Sequence, residues 1–407
     1  MDYKVSKVSH PKYNNQLIPL LVDEHSIPVP SASVWGWDLW LSAPLNTCTA
    51  KLNDLAIFYK FIDQVHPSFF EDAAKLKFLT HREINKLCSF LLINFKFPLE
   101  DSVSVSPSTF NRRLSSINSF LYFHYTRYIE RLSDFEKANE FKKSLFAFDA
   151  RLKKKAYSNS DIENHTKPTE TLTEDEIDVI RLVIRPSTDS FINEVNPYRK
   201  GLQVRNACLI LLLIELGCRA SELVLIRNID SHLKLTTNAT VVIQSIDLNE
   251  TTHRGRRDGA AHKTSNRELP ITSGLCDLLL DYTENYRPKL RGRASKNLTD
   301  YLFISEKDGG AFTTSGLRHL ISSMFKHVPN LANVLHPHKF RVFKGNKLRA
   351  AIDDEYENSN SPMKKDGDMQ DTLTMWGGWS TTSSMPKRYT NAHIQRKLND
   401  YLAKKDS

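Results

Sequence analysis

At 407 residues the chain is too long for one ordinary domain, so two or three are expected. Its 40% hydrophobic content excludes a disordered composition, and 56 Lys plus Arg against 47 Asp plus Glu leave a net charge of +9 that favours a polyanionic partner, nucleic acid first. The five widely spaced cysteines (Cys48, Cys88, Cys208, Cys218 and Cys276) contain no CxxC, which argues against a disulfide framework or a zinc site and fits a reducing cytoplasm.

No apolar signal-peptide core opens the chain. Pro28, Pro30 and the SxSxWGW segment argue for irregular structure, so residues 1–45 read as an N-terminal extension laid on another domain.

From 46 to 160 the pattern is helical. Leu52, Leu55, Tyr59 and Ile62 recur at helix spacing. Thr80 and Glu83 form a capping-box pattern ahead of Ile84, Leu87, Cys88 and Leu91. After Pro107, a single stripe runs through Leu114, Ile117, Leu121, His124 and Tyr128, with Arg112 and Arg113 at the helix start. Helices with such a basic face make a DNA-docking module, with Arg112 and Arg113 as contacts. An all-α domain with ordinary solvated charges fits the periodicity equally well.

Residues 151–171 are polar and charged without an apolar stripe, a linker composition, and the linker proper is placed at 161–171. Thr173 and Glu176 then form a second capping box before Ile177, Ile180 and Ile184, so a new domain spans 172–407. A helix over 205–216 is apolar on nearly all sides and belongs in a core. It is too short to span a bilayer, which takes ~20 residues. Gly217 can end it as a C′ residue. Arg219 and Glu222 follow, three apart, and can pair. On its own that pair is as well read as structural.

Strands are expected over 239–247 and 267–271, joined by a basic loop with Arg254, Arg256, Arg257, Lys263 and Arg267. A hairpin tipped with Lys can touch a phosphate, though most such loops are mobile surface hairpins. Another amphipathic helix covers 314–327. Pro337 then starts a helix with His338 and Arg341 three apart, a pair that suits a phosphate with a proton to move. His336 has Lys339 in the corresponding place. Residues 353–371 are polar and mixed in charge and read as an exposed loop or insertion.

The segment 375–393 holds a Gly377-Gly378-Trp379 turn and then Tyr389 beside Lys387 and Arg388. A tyrosine among cations is a candidate nucleophile, but a free phenol with a pKa of ~10 needs cations or a base to favour its anion. Alone, Tyr389 is better read as a surface residue of a basic helix. What changes that reading is the set upstream: Arg219, Lys263, His338 and Arg341. No Gly-rich phosphate loop of the Walker or dinucleotide kind occurs.

Taken together, LGCRASEL, HKTSNRELPI, HPHKFR, GGW and KRYT resemble the tyrosine recombinases, the phage-integrase family, over about residues 46–400. The resemblance aligns Arg219 with the family's first arginine and Glu222 with the acidic residue that follows it. Lys263 aligns with the β-hairpin lysine, for which His262 and Arg267 in the same loop are alternatives. His338 and Arg341 match the His-x-x-Arg element, Trp379 stands where most members have a second histidine, and Tyr389 matches the nucleophile. The segment STFNRRLSSINSFLYF is similar to the last helices of the family's core-binding domain.

The resemblance implies a mainly α, multidomain chain: a helical core-binding (SAM-like) domain and a mixed α/β catalytic domain with a small antiparallel sheet. It implies a site-specific DNA recombinase or integrase of a mobile element, working through a 3′-phosphotyrosyl intermediate without metal or cofactor. In that scheme Arg219 and Arg341 each hold two oxygens of the phosphate, and Trp379 gives a hydrogen bond to phosphate or supports the site. Lys263 is the general acid, Tyr389 is the nucleophile and His338 assists proton transfer to or from it. Arg254, Arg256 and Arg257 join Arg112 and Arg113 as DNA contacts. The implied partners are duplex DNA with specific recombination sites, held by a homotetramer with accessory DNA-bending proteins. The implied location is cytoplasmic, on the nucleoid and away from membranes. The segment 394–402 would pack on a neighbouring protomer. Rival readings are a type IB topoisomerase-like enzyme and a catalytically impaired DNA-binding accessory protein.

Overall fold

The computed structural model describes residues 2–13, 16–98, 103–165, 170–244, 256, 258–262, 264–291, 299–356 and 362–405. Lys263, Arg254 and Arg257 lie outside the described residues. The chain divides into two compact units, Met1–Lys167 and Pro168–Ser407, and the described residues are mainly helical with two small antiparallel sheets among them.

The first unit opens with a hairpin of β1 (Lys4–Ser9) and β2 (Leu17–Val22), in register from Lys4 opposite Val22 to Ser9 opposite Leu17. Then come α1 (Pro30–Ser42), α2 (Leu45–Val65), α3 (Phe69–Ala74), α4 (His81–Leu92), α5 (Pro107–Ile129), α6 (Phe135–Lys153) and the short α7 (Asn159–His165). The expectation of irregular structure around SxSxWGW is corrected. Pro30 takes the first helical position, where its missing N–H costs nothing, and Trp35 and Leu39 turn inward together. Trp35 is buried edge-on to Phe120, and the Trp40 indole donates to the Leu17 carbonyl at 3.1 Å. These residues thus share one core with α2 and α5.

The stripe read from α2 is buried as expected: Leu52, Leu55, Tyr59 and Ile62. On α5 the buried face runs through Leu114, Ile117 and Leu121 and then drifts to Tyr125 and Ile129, leaving His124 and Tyr128 half-buried. Both bonds of the Thr80–Glu83 capping box form, at 2.7 and 3.3 Å, which stabilises α4 by about 1 kcal/mol.

The second unit begins at α8 (Glu174–Ile184), capped by Thr173 and Glu176 with bonds of 2.9 and 3.1 Å. Its centre is α9 (Lys200–Leu216), buried along almost its whole circumference as the sequence required. Gly217 ends it at φ 60°, and α10 (Ala220–Val224) follows. A three-stranded sheet runs β3 (Leu233–Lys234), β4 (Thr240–Ile243) and β5 (Arg267–Pro270), with Val241 opposite Leu269 and Ile243 opposite Arg267.

Next are α11 (Ser273–Asp281), α12 (Arg287–Arg291), α13 (Thr314–Met324), α14 (Pro337–Glu355), α15 (Pro362–Gly377), α16 (Met385–Tyr389) and α17 (Asn391–Lys405). Reading 353–371 as an exposed loop is corrected for the described part, since α14 runs on to Glu355 and α15 starts at Pro362. Asp353 is buried there because Lys365, His393 and Lys397 close over its carboxylate at 2.7–2.9 Å. Charge pairing of that kind leaves no trace in hydropathy. All five cysteines are free thiols, and among the described residues no helix is long and apolar enough to cross a membrane.

Candidate active site

The site is assembled around the end of α9. Gly217 adopts a left-handed conformation, and a Cβ there would lie 2.7 Å from the Trp376 ring and 2.8 Å from the Lys344 Cβ. Only glycine permits both the turn and this approach. The turn places Arg219 as the N-cap of α10, one helical turn before Glu222.

Glu222 is fully buried and serves as a hub. Its carboxylate accepts from the Arg219 backbone N–H at 2.8 Å and from the Arg219 guanidinium at 2.9 Å. It also accepts from the Thr264 hydroxyl at 2.7 Å and from Arg267 at 2.8 Å, with Arg341 at 3.8 Å. Burial alone would raise the Glu222 pKa, but Arg267, Arg341 and Arg219 outweigh it and pull the group down to about 2. The carboxylate is therefore ionised at neutral pH. It holds Arg219 at the edge of the site, with a quarter of its side chain exposed.

One turn of α14 carries His338 and Arg341. Arg341 is wholly buried. It donates to the carbonyls of Gly217 at 2.9 Å and Gly377 at 3.0 Å. Rings of Trp376, Trp379 and Tyr389 lie 4.8, 4.9 and 5.1 Å from its guanidinium carbon. Burial lowers its pKa to about 10, with Glu222 opposing, so it stays cationic at neutral pH. His338 is exposed, with its ring 5.2 Å from that of Tyr389 at 62°. Partial burial first, then His336, Arg341, Arg388 and Arg219, hold its pKa below the usual histidine value. It is therefore mostly neutral at pH 7 and able to accept a proton. His336 stacks beside it, 6.2 Å away, and faces solvent.

The GGW turn explains itself sterically. A Cβ on Gly377 would fall 2.2 Å from the Trp379 ring, and Gly378 sits at φ 63° against Thr264 and Arg267. Trp379 is thereby folded back to stack on Tyr389, with 5.1 Å between centroids and 21° between planes. Its indole Nε1 is buried and finds no acceptor among the described residues. A buried N–H without a partner is costly and rare, so it marks a place where an acceptor belongs.

Tyr389 closes the C-terminal end of α16 and is 8% exposed. Its sequence neighbours Lys387 and Arg388 face solvent, so the cation over its ring is Arg341, which the linear order did not indicate. His338, Arg341, Trp379 and Tyr389 thus meet in one cluster, and Arg219 joins it through Glu222. Lys263 lies outside the described residues. Its neighbour Thr264 binds Glu222, and the Ser265 N–H donates to the Gly378 carbonyl at 3.0 Å, so the strand that follows it is pinned to this cluster.

Three arginines are reassigned. Arg256 is buried and spends its guanidinium on Asp258 and on the carbonyls of Val224 and Phe312, so it cannot be a DNA contact. Arg113 is buried too, donating to the carbonyls of Leu91 and Ile93 at the end of α4. Arg267, an alternative to Lys263, is committed to Glu222. Arg112 keeps half its side chain exposed while pairing with buried Asp54 at 2.6 Å. The reading from sequence missed Asn346, Arg349, Thr264 and Trp376. The first two carried a signal: they continue the helical face that starts at His338 and Arg341.

No protein-family model matches the chain, and no curated protein does. Among solved structures, a XerH site-specific recombinase bound to palindromic difH substrate in a post-cleavage complex is similar at a TM-score of 0.53 and 15% identity, over 93% of this chain and 85% of that one. A pre-cleavage complex of XerH with difH substrate gives a TM-score of 0.38 at 13% identity, over 88% of each chain. The fold is that of the tyrosine recombinases.

Proposed function

We propose that this chain is a site-specific DNA recombinase that cuts and rejoins strands through a covalent bond between Tyr389 and a 3′ phosphate. The observation that carries the reading is the cluster around Tyr389: a neutral imidazole at 5.2 Å, a buried guanidinium at 5.1 Å and a stacked indole with an unanswered N–H. Those groups suit one phosphoryl transfer. The Tyr389 oxygen attacks phosphorus, and the bond to the 5′ oxygen breaks. His338 takes the phenol's proton, and Lys263 supplies one to the departing oxygen. Arg219 and the Trp379 indole hold non-bridging oxygens, while Arg341 fixes positive charge beneath the reacting ring. Arg341 has both terminal nitrogens on backbone carbonyls, so its part here is field and orientation rather than the two-pronged phosphate grip expected from sequence.

The partner is duplex DNA carrying specific recombination sites, consistent with the net charge of +9. Assembly as a tetramer on DNA is supported by Leu398 and Leu402, which α17 leaves exposed. Accessory DNA-bending proteins, a mobile element as the carrier, and a cytoplasmic, nucleoid-bound location follow from the same reading.

The deciding experiment mixes the protein with a nicked suicide duplex and looks for a denaturation-resistant adduct. Wild type should form it, and Tyr389→Phe should bind DNA without forming it. An adduct that persists in Tyr389→Phe would pass the role to another phenol, Tyr401 first. Binding with no adduct from wild type would favour an impaired accessory protein, and relaxation of any supercoiled plasmid would favour a topoisomerase.

A further inference from the structure

One face of α14 tracks the segment around Tyr389 residue by residue. His338 and Arg341 meet the phenol ring. Beyond them, Asn346 donates from Nδ2 to the Tyr389 carbonyl at 3.0 Å and accepts from the His393 N–H on Oδ1 at 2.7 Å. Arg349 donates to the Thr390 hydroxyl at 2.9 Å, and Asp353 accepts from the His393 ring at 2.7 Å. Asn346 is 2% exposed and Thr390 is fully buried. Gly345 lets the two segments approach, since a Cβ there would stand 3.3 Å from the Tyr389 carbonyl oxygen.

Tyr389 ends a five-residue helix, and α17 begins at Asn391, so the backbone breaks at Thr390 beside the phenol. One helical turn cannot hold its own geometry. A single amide side chain binds the Tyr389 carbonyl before the break and the His393 N–H in the first turn after it, the latter shared with the Thr390 carbonyl at 3.1 Å. From this geometry we infer that Asn346 is a positioning residue for Tyr389: it fixes the phenol's backbone on α14, the helix that also presents His338 and Arg341. The inference rests on Tyr389 being the nucleophile. Arg349 reinforces the hold one turn on through Thr390.

The test separates attack by the phenol from activation of the phosphate. In the full chain, Asn346→Ala should slow single-turnover adduct formation on the suicide duplex by about a hundredfold, the usual effect of misplacing a reacting group by ~1 Å. Hydrogen peroxide is then supplied as an external nucleophile to Tyr389→Phe, where hydroperoxide attacks phosphorus and the 5′ oxygen leaves. Adding Asn346→Ala to Tyr389→Phe should leave that cleavage rate unchanged. Arg349→Ala, which removes only the Thr390 bond, should show a smaller loss of adduct with the same indifference to peroxide, and it decides the matter should Asn346→Ala fail to fold. Equal losses in both assays would make Asn346 a support for the whole site and overturn the inference. So would adduct formation at the wild-type rate in Asn346→Ala or Arg349→Ala. An adduct formed by Tyr389→Phe would instead sink the nucleophile assignment, a result separate from the others.

Discussion

The guanidinium of Arg341 lies 5.1 Å from the centre of the Tyr389 ring, and both are buried. The two are 48 positions apart in sequence, and the folded chain sets this buried cation against the ring while the adjacent Lys387 and Arg388 face solvent.

Trp379 should act through its N–H. Trp379→Phe keeps the stack on Tyr389 and removes the unanswered donor. Adduct formation should fall by about a hundredfold, the ~3 kcal/mol typical of losing one phosphate-binding donor, with DNA affinity little changed. Trp379→His should retain more activity than Trp379→Phe. Equal rates in wild type and Trp379→Phe, measured in single turnover, would remove the indole from the chemistry.

Glu222 should be needed for stability before it is needed for catalysis. Glu222→Gln strands the guanidiniums of Arg219, Arg267 and Arg341 around a neutral amide. Breaking a buried pair in this way costs about 3–5 kcal/mol, readable in urea unfolding. The pH sign follows from the lowered pKa. The folded state holds Glu222 ionised down to about 2, whereas the unfolded chain protonates it near the ordinary value of 4.5. Its contribution is therefore complete above pH 4.5 and lost as the pH falls toward 2. Wild type should lose stability through that window, and Glu222→Gln should lack that component.

His338 should set the acid limb of the cleavage profile. Its pKa lies below 6.5, so the neutral form that accepts a proton is lost only as pH falls below that value. Adduct rates should be flat near pH 7 and decline beneath the midpoint. His338→Gln should be slower overall and lose that limb. An unchanged limb in the variant would assign it elsewhere.

The reassigned arginines separate binding from folding. Arg256→Ala and Arg113→Ala should each destabilise the chain by about 1–3 kcal/mol, because buried carbonyls lose their donors. Arg112→Ala should destabilise too, by about 1–3 kcal/mol, because buried Asp54 loses its cation. Arg112 is half exposed, and if it touches a phosphate its loss should reduce the salt dependence of DNA binding by about one unit of slope.

Gly217 offers a purely steric test. Gly217→Ala combines a left-handed backbone with a Cβ 2.7 Å from Trp376, and should cost at least about 2 kcal/mol in denaturant unfolding. Gly274→Ala, with nothing within 4 Å of the new Cβ, should be neutral or stabilise by about 0.5 kcal/mol.

Local features were legible in the sequence because they need only near neighbours. Thr80 with Glu83 and Thr173 with Glu176 cap helices through contacts three residues apart. Gly217 ends α9, Pro337 begins α14, and Arg219 pairs with Glu222. The order Arg219, His338, Arg341, Trp379, Tyr389 was readable too, since it is a property of the string. Which charges are free is a different kind of fact. Arg112 and Arg113 adjoin on one helix, yet one is half exposed and the other caps α4. Arg256 looked like a loop cation and is a buried tether, and Asp353 looked solvated and is closed over by two lysines and a histidine. Desolvation and pairing depend on chain tens of residues away, so only the folded packing could decide whether a given arginine binds a phosphate, a carboxylate or the backbone.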